Sequence, residues 1–213
     1  MITLYGADYS VYVRSVRLAM EEKGIEYRLV PVDVFVPEDV GEDHLARHPF
    51  GKIPALDHDG FQLYETAAIL RYVDEVMDGP ALQPDDPRHR ARMDQILSIL
   101  DNYAYPTLVW GIYVERVSKT RSGDTADEVA IASAMGRART TVNALETFAQ
   151  DTPFLLGERP TLADCHAAPM LNLFRQAEEG TLLLKSSPKL SAFLDHFTER
   201  ESFLRTAPSS DSR

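Results

Sequence analysis

The hydrophobic pattern of this chain changes character near residue 78. Ahead of that point, short apolar runs alternate with helical stretches. Ile2-Thr3-Leu4-Tyr5-Gly6 reads as a strand. Val13, Val16 and Met20 then stand at helical spacing, and Glu21-Glu22-Lys23-Gly24 ends that segment with a glycine stop. Residues 27–32 read as a second strand, and residues 33–48 are acidic and irregular, with a short helix expected around 39–47. Residues 53–57 and 61–64 predict a hairpin across Asp59-Gly60. Ile69, Tyr72, Val73 and Val76 follow i, i+3, i+4, i+7 on a closing helix.

Beyond residue 78 the pattern is helical. Residues 79–88 form a linker marked by Pro80, Pro84 and Pro87. Met93, Ile96, Leu97, Leu100, Tyr103 and Ala104 share one helical face, and Pro106 is expected to bend or interrupt that helix. A polar turn is expected over residues 118–124. Ile131, Met135, Ala138, Val142 and Leu145 mark the next helix. Thr161-Leu162-Ala163-Asp164 reads as a capping box opening another, and Ser187-Pro188 as an N-cap followed by an N1 proline. The expected organisation is an α+β domain over 1–78, ordered βαβαββα on a mixed four-stranded sheet, which is a thioredoxin-like arrangement. An all-α helical bundle follows over 89–213, with a small, polar, disordered tail from about residue 207.

Charge and composition narrow the function classes. Among 213 residues, 44% are hydrophobic, enough for one or two packed cores. The net charge is 22 − 33 = −11. Residues 1–78 carry 7 basic and 15 acidic side chains, or −8, and the remainder carries −3. An acidic chain argues against nucleic-acid binding, which needs a basic face. No run of 18 apolar residues occurs, and the first residues lack the basic flank and apolar core of a signal peptide, so no membrane association is expected. Cys165 is the sole cysteine, so no intrachain disulfide can form and a cytoplasmic location is the expectation. The six histidines show no metal-ligand spacing, and no metal is expected.

The most informative stretch runs from Arg47 to Thr66. A strand entered through Ile53-Pro54 is unusual, because proline cannot donate to a sheet ladder. A cis bond there would turn the Ile53 amide and carbonyl out of the sheet to meet a bound peptide. At the end of the next strand, Glu65 and Thr66 open a helix. A carboxylate beside a hydroxyl at a helix N-terminus suits the ammonium and carboxylate of an amino acid. Taken alone, the pair is also explained by a surface acid and a threonine cap. Ser10, just before the first helix, has a similar double reading. It N-caps the helix, or its hydroxyl donates to a bound thiolate with the helix terminus assisting.

His48-Pro49-Phe50-Gly51-Lys52-Ile53-Pro54-Ala55 and Glu65-Thr66 resemble the N-P-F-G-Q-V-P-A run and the E-S dipeptide of the glutathione S-transferase family. The resemblance extends to about residue 205 and is nearest to serine-type bacterial and plant phi/theta-like members. It implies a cytoplasmic detoxification enzyme with glutathione as co-substrate and an apolar electrophile as partner. Ser10 would stabilise the thiolate, with Tyr9 its closest rival; Tyr5 fits strand core better. Lys52, Ile53, Pro54, Glu65 and Thr66 would bind glutathione. Phe50 would insert into a second copy of a homodimer. The second-substrate pocket is expected between the halves, lined by Tyr12, Tyr103, Leu108, Trp110 and Tyr113.

Two departures from the family pattern matter. No cysteine stands near position 10, and Ser10-Val11-Tyr12 replaces the S-S-C run of the maleylacetoacetate isomerase class. Asp39-Val40 stands where plant-like members carry a His-Lys pair for the glycyl carboxylate. Competing readings are therefore a glutathione-dependent peroxidase or isomerase, and a non-catalytic interaction or regulatory module on the same fold.

Overall fold

The computed structural model describes residues 1–209 and divides into two compact units. Unit 1 comprises Met1–Gln83 together with the chain from Glu201 onward; unit 2 is Pro84–Arg200.

Unit 1 is built on a four-stranded sheet in the order β2-β1-β3-β4. Strand β1 (Ile2–Tyr5) pairs parallel with β2 (Arg28–Val30) and antiparallel with β3 (Ala55–His58), which pairs antiparallel with β4 (Phe61–Tyr64). The sheet is therefore mixed, as its order predicts. Strand β2 is shorter than the expected 27–32. Helices α1 (Val11–Lys23) and α3 (Thr66–Val76) pack together, burying Val13, Val16 and Met20 of one and Ile69, Leu70 and Val73 of the other. Gly24 ends α1 in the left-handed conformation, φ 71°, as the glycine stop requires. The acidic stretch holds a 3-10 turn at Pro37–Asp39 and the short helix α2 (Glu42–Arg47).

The chain returns to unit 1 at helix α10 (Glu201–Arg205). The segment from Glu201, expected as part of a helical domain over 89–213, thus groups with unit 1. Arg14, buried on α1, donates from Nη2 to the Phe203 carbonyl at 2.8 Å and from Nε to Thr206 Oγ1 at 3.4 Å. Its guanidinium lies 3.8 Å from the Phe203 ring centroid. Residues 207–209 have no regular secondary structure, and the rest of the expected tail lies outside the described residues.

Unit 2 is helical: α4 (Pro87–Ile99), a wide-turned π-helix (Leu100–Ser118), a closing α-turn α5 (Lys119–Arg121), α6 (Glu128–Phe148), α7 (Leu162–Phe174), α8 (Glu178–Lys185) and α9 (Pro188–Thr198). Pro106 neither interrupts nor ends its helix. A proline has no N–H to give and crowds the carbonyl four residues back, and the wider turns accommodate it. The helix also continues through Arg121, four residues into the expected polar turn.

The capping box is present: Asp164 accepts from Thr161 N at 2.7 Å and from Thr161 Oγ1 at 2.6 Å. At α9 the expected cap is replaced. The Ser187 hydroxyl donates to the Leu183 carbonyl, and Glu146 of α6 accepts from Lys189 N and Leu190 N at 3.1 and 2.9 Å. Among the described residues no helix is long and apolar enough to cross a membrane, and no group of three or more acidic, histidine or cysteine side chains is disposed to hold a metal.

Candidate active site

The strand register gathers the candidate residues. Tyr5 pairs with Ala55, and Ala55 with Tyr64. The end of β1, the start of β3 and the end of β4 therefore share one edge of unit 1. From that edge emerge the Gly6–Ser10 loop, the Ile53-Pro54 entry and the Glu65-Thr66 exit. Strands lie about 4.8 Å apart, so this edge spans about 10 Å from β1 to β4. Helices α1 and α3 both begin here, and both direct their positive N-terminal ends toward it. Unit 1 is acidic overall, yet this edge is locally suited to anions.

The Gly6–Ser10 loop is pinned at several points. Gly6 N donates to the Val30 carbonyl at 3.0 Å, and Ser10 N to the Ala7 carbonyl at 3.2 Å. A Cβ at Gly6 would lie 2.4 Å from Val13 Cγ2 and 3.3 Å from Ile53 Cβ, so only glycine lets the loop approach both α1 and the β3 entry. Ser10 is the N-cap of α1, and its Oγ accepts from Val13 N at 3.4 Å. That bond uses a lone pair and leaves the hydroxyl proton for another acceptor. Tyr9 differs: its hydroxyl donates to Asp33 Oδ1 at 2.6 Å, and its ring stacks on Phe35. The Arg47 guanidinium lies over the Tyr5 ring, 4.4 Å from its centroid. Arg14, one turn beyond Ser10, turns away toward α10.

The Ile53-Pro54 peptide bond is cis. Ladder pairing begins only at Ala55, so the Ile53 backbone stands outside it. Pro54 is buried and Ile53 half-buried. Glu65 sits at the N-cap position of α3 with φ 71° and ψ 114°, and its exposed side chain makes no capping bond. A non-glycine residue there is a backbone outlier of the kind concentrated at ligand sites. Its carbonyl accepts from Ala68 N and Ile69 N, both at 3.0 Å, while the Thr66 and Ala67 amides have no intrahelical acceptor. Thr66 is buried at the first helical position.

Lys52 is exposed, and its carbonyl accepts from Nε2 of the buried His44 at 2.9 Å. His48 is also buried, with its ring centroid 4.8 Å from that of Tyr64. Burial pushes its imidazole below the usual value, opposed by the Glu65 carboxylate. Phe50 is 68% exposed, with only edge contacts to His48 and Tyr64. Asp39 is exposed and accepts from Asp33 N at 2.9 Å. It borders an open cavity of about 520 Å³ shared with Glu38, Glu42, Asp43 and Arg47.

The aromatic candidates are split between the units. Tyr12 is half-buried on α1. Tyr103 and Trp110 are exposed on the π-helix, and Tyr113 is half-buried there. Leu108 is fully buried in the core of unit 2 and lines no surface, because it faces inward with Ala104 and Ile112.

A family model described as "Glutathione S-transferase, N-terminal domain" matches residues 4–81, and one described as "Glutathione S-transferase, C-terminal domain" matches residues 128–196. The chain belongs to the glutathione S-transferase family. Within that family it is similar to glutathione S-transferase F12 of Arabidopsis thaliana, 25% identical over 95% of each chain. It is also 27% identical to a stringent starvation protein A homolog of Pasteurella multocida, over 97% of this chain and 90% of that protein. Among solved structures, glutathione transferase F7 from Populus trichocarpa superposes with a TM-score of 0.84 over 97% of each chain at 24% identity, which shows the shared glutathione S-transferase fold.

Proposed function

We propose that this protein binds glutathione along the β1–β3–β4 edge and adds its thiolate to an apolar electrophile. The observation that carries this reading is the Ser10 hydroxyl: its proton is unspent at the N-terminus of α1, whereas that of Tyr9 is given to Asp33. A free thiol titrates near ~8.5, and lowering that by two units takes ~2.7 kcal/mol. A donated hydrogen bond and a helix terminus are together of that order. The thiolate then forms the new C–S bond while the electrophile releases its leaving group or takes up a proton.

At the other end of the edge, Glu65 holds the γ-glutamyl ammonium, and Thr66 with the first amides of α3 holds the α-carboxylate. The Ile53 backbone pairs with the cysteinyl residue, Pro54 fixes that turn, and Lys52 serves the glycyl end. We assign glutathione binding to residues 1–78. Exposed Phe50 is the contact by which two copies form a homodimer. A single buried cysteine fits a reducing cytoplasm.

Calorimetric titration with reduced glutathione tests the site. Saturable binding in the micromolar to low millimolar range, with turnover of a chromogenic aryl halide, is the expected result. No binding at several millimolar contradicts it. That outcome favours the second reading, a non-catalytic docking module on the same fold, which Asp39 at the place of a base and the acidic first half motivate.

A further inference from the structure

Tyr9 and its neighbour Asp8 are anchored in different ways. Tyr9 reaches Asp33, as described. Asp8 is met by the C-terminal segment: Ser209 donates to Asp8 Oδ2 from both its backbone N and its Oγ, each at 2.9 Å. The two residues are 201 positions apart in sequence. The segment that carries Ser209 is itself tied to α1. Arg14 holds the Phe203 carbonyl and Thr206 Oγ1, Arg17 donates to the Thr206 and Arg205 carbonyls at 3.2 and 3.4 Å, and Ser202 Oγ donates to Glu22. Thr206 is fully buried. The strap thus runs along the helix that Ser10 caps and ends on the loop that presents Ser10.

We propose that Asp8 is a positioning residue for thiolate formation and that Ser209 is the latch that holds it. This rests on the reading of Ser10 given above. Asp8 lies two residues from Ser10, within about 7 Å along the chain. A carboxylate so close disfavours a neighbouring thiolate unless its charge is offset, because like charges raise the pKa of the group that must ionise. Two donors on one carboxylate oxygen offset that charge and fix the loop. Releasing the latch therefore acts twice in one direction: the Asp8 charge is less compensated, and Ser10 is held less firmly.

The test uses the full-length protein with glutathione bound. Ser209→Pro removes both donors at once, since proline has neither an N–H nor a hydroxyl. Three readouts are expected to move. Amide exchange over residues 8–10 speeds up about tenfold. The thiol pKa of bound glutathione, followed by thiolate absorbance, rises by about 0.5 to 1. Turnover at a pH below that pKa falls about three- to tenfold, while half-saturation by glutathione stays within about twofold. Adding Asp8→Asn to Ser209→Pro removes the Asp8 charge and recovers about half or more of that pKa rise, the part due to charge. If Ser209→Pro cannot be recovered folded, Ser209→Ala, which loses only the hydroxyl donor, gives about half the shift.

An unmoved thiol pKa in Ser209→Pro, alongside a raised one in Ser10→Ala, overturns the inference and leaves the functional reading intact. A pKa that stays high in the double variant overturns the role given to the Asp8 charge. If Ser10→Ala itself leaves the pKa unmoved, the functional reading fails and this inference fails with it.

Discussion

Lys23 and Asp74 form an ion pair 3.1 Å long inside unit 1, with the two side chains only 1% and 5% exposed. The Lys23 ammonium also donates to the Asp74 and Pro80 carbonyls at 3.2 and 3.1 Å. The Asp74 carboxylate accepts from Leu82 N at 2.7 Å and Gln83 N at 3.1 Å. One pair therefore joins the end of α1, the body of α3 and the chain leaving α3. Lys23→Met leaves a buried carboxylate without its cation, and breaking such a pair costs about 3–5 kcal/mol. Urea denaturation should show that loss with an unchanged m-value. A cost below about 1 kcal/mol would mean that the carboxylate finds water.

Asp164 is fully buried, and burial raises its carboxyl to about 6, against the donors from Thr161 and Leu155. The folded-state value lies above the unfolded one, so the native state binds the proton more tightly. The resulting stabilisation is fully present below about pH 4 and is lost as pH rises through 6, to a limit of about 3 kcal/mol. Asp164→Asn should abolish that pH dependence. It should also destabilise unit 2 by about 1–3 kcal/mol, because an amide N–H would face a donor. Denaturation midpoints of both proteins between pH 4 and 7 check this, and parallel curves would contradict it.

Glu65 separates function from stability. Its backbone conformation suits glycine better than any side chain. Glu65→Gly should leave stability unchanged or raise it by no more than about 1 kcal/mol. The same change should raise half-saturation by glutathione at least about tenfold, since a charged hydrogen bond is lost. Thermal melts and calorimetry on one variant decide both points. Unchanged affinity would remove Glu65 from the site.

The features legible in the sequence are those whose causes are local. Helix α1 followed from Val13, Val16 and Met20 with a glycine stop, and the capping box from Thr161 and Asp164. The hairpin followed from Asp59-Gly60, and the cis bond from a proline at a strand entry. What escaped depends on partners distant along the chain. Glu146 caps α9 across 43 residues, a role no local pattern assigns. Nothing near Lys23 announces Asp74, 51 residues away. At the site, Ser10 led by position and Tyr9 stood beside it as the closest rival. Only the Asp33 carboxylate, 24 residues on, separates them. The return of α10 was hidden because Arg14 and Arg17 read as ordinary helix cations, whereas both bind carbonyls near the C-terminus.

The central claim is that Ser10 lowers the thiol pKa of bound glutathione. The most direct measurement is thiolate absorbance of the glutathione complex against pH, for wild type and Ser10→Ala. Wild type should titrate about two units below the free thiol, and Ser10→Ala should titrate at least about one unit above wild type. The variant's fold should survive, since its weak cap contributes about 1 kcal/mol or less. Coincident curves for the two proteins would contradict the account.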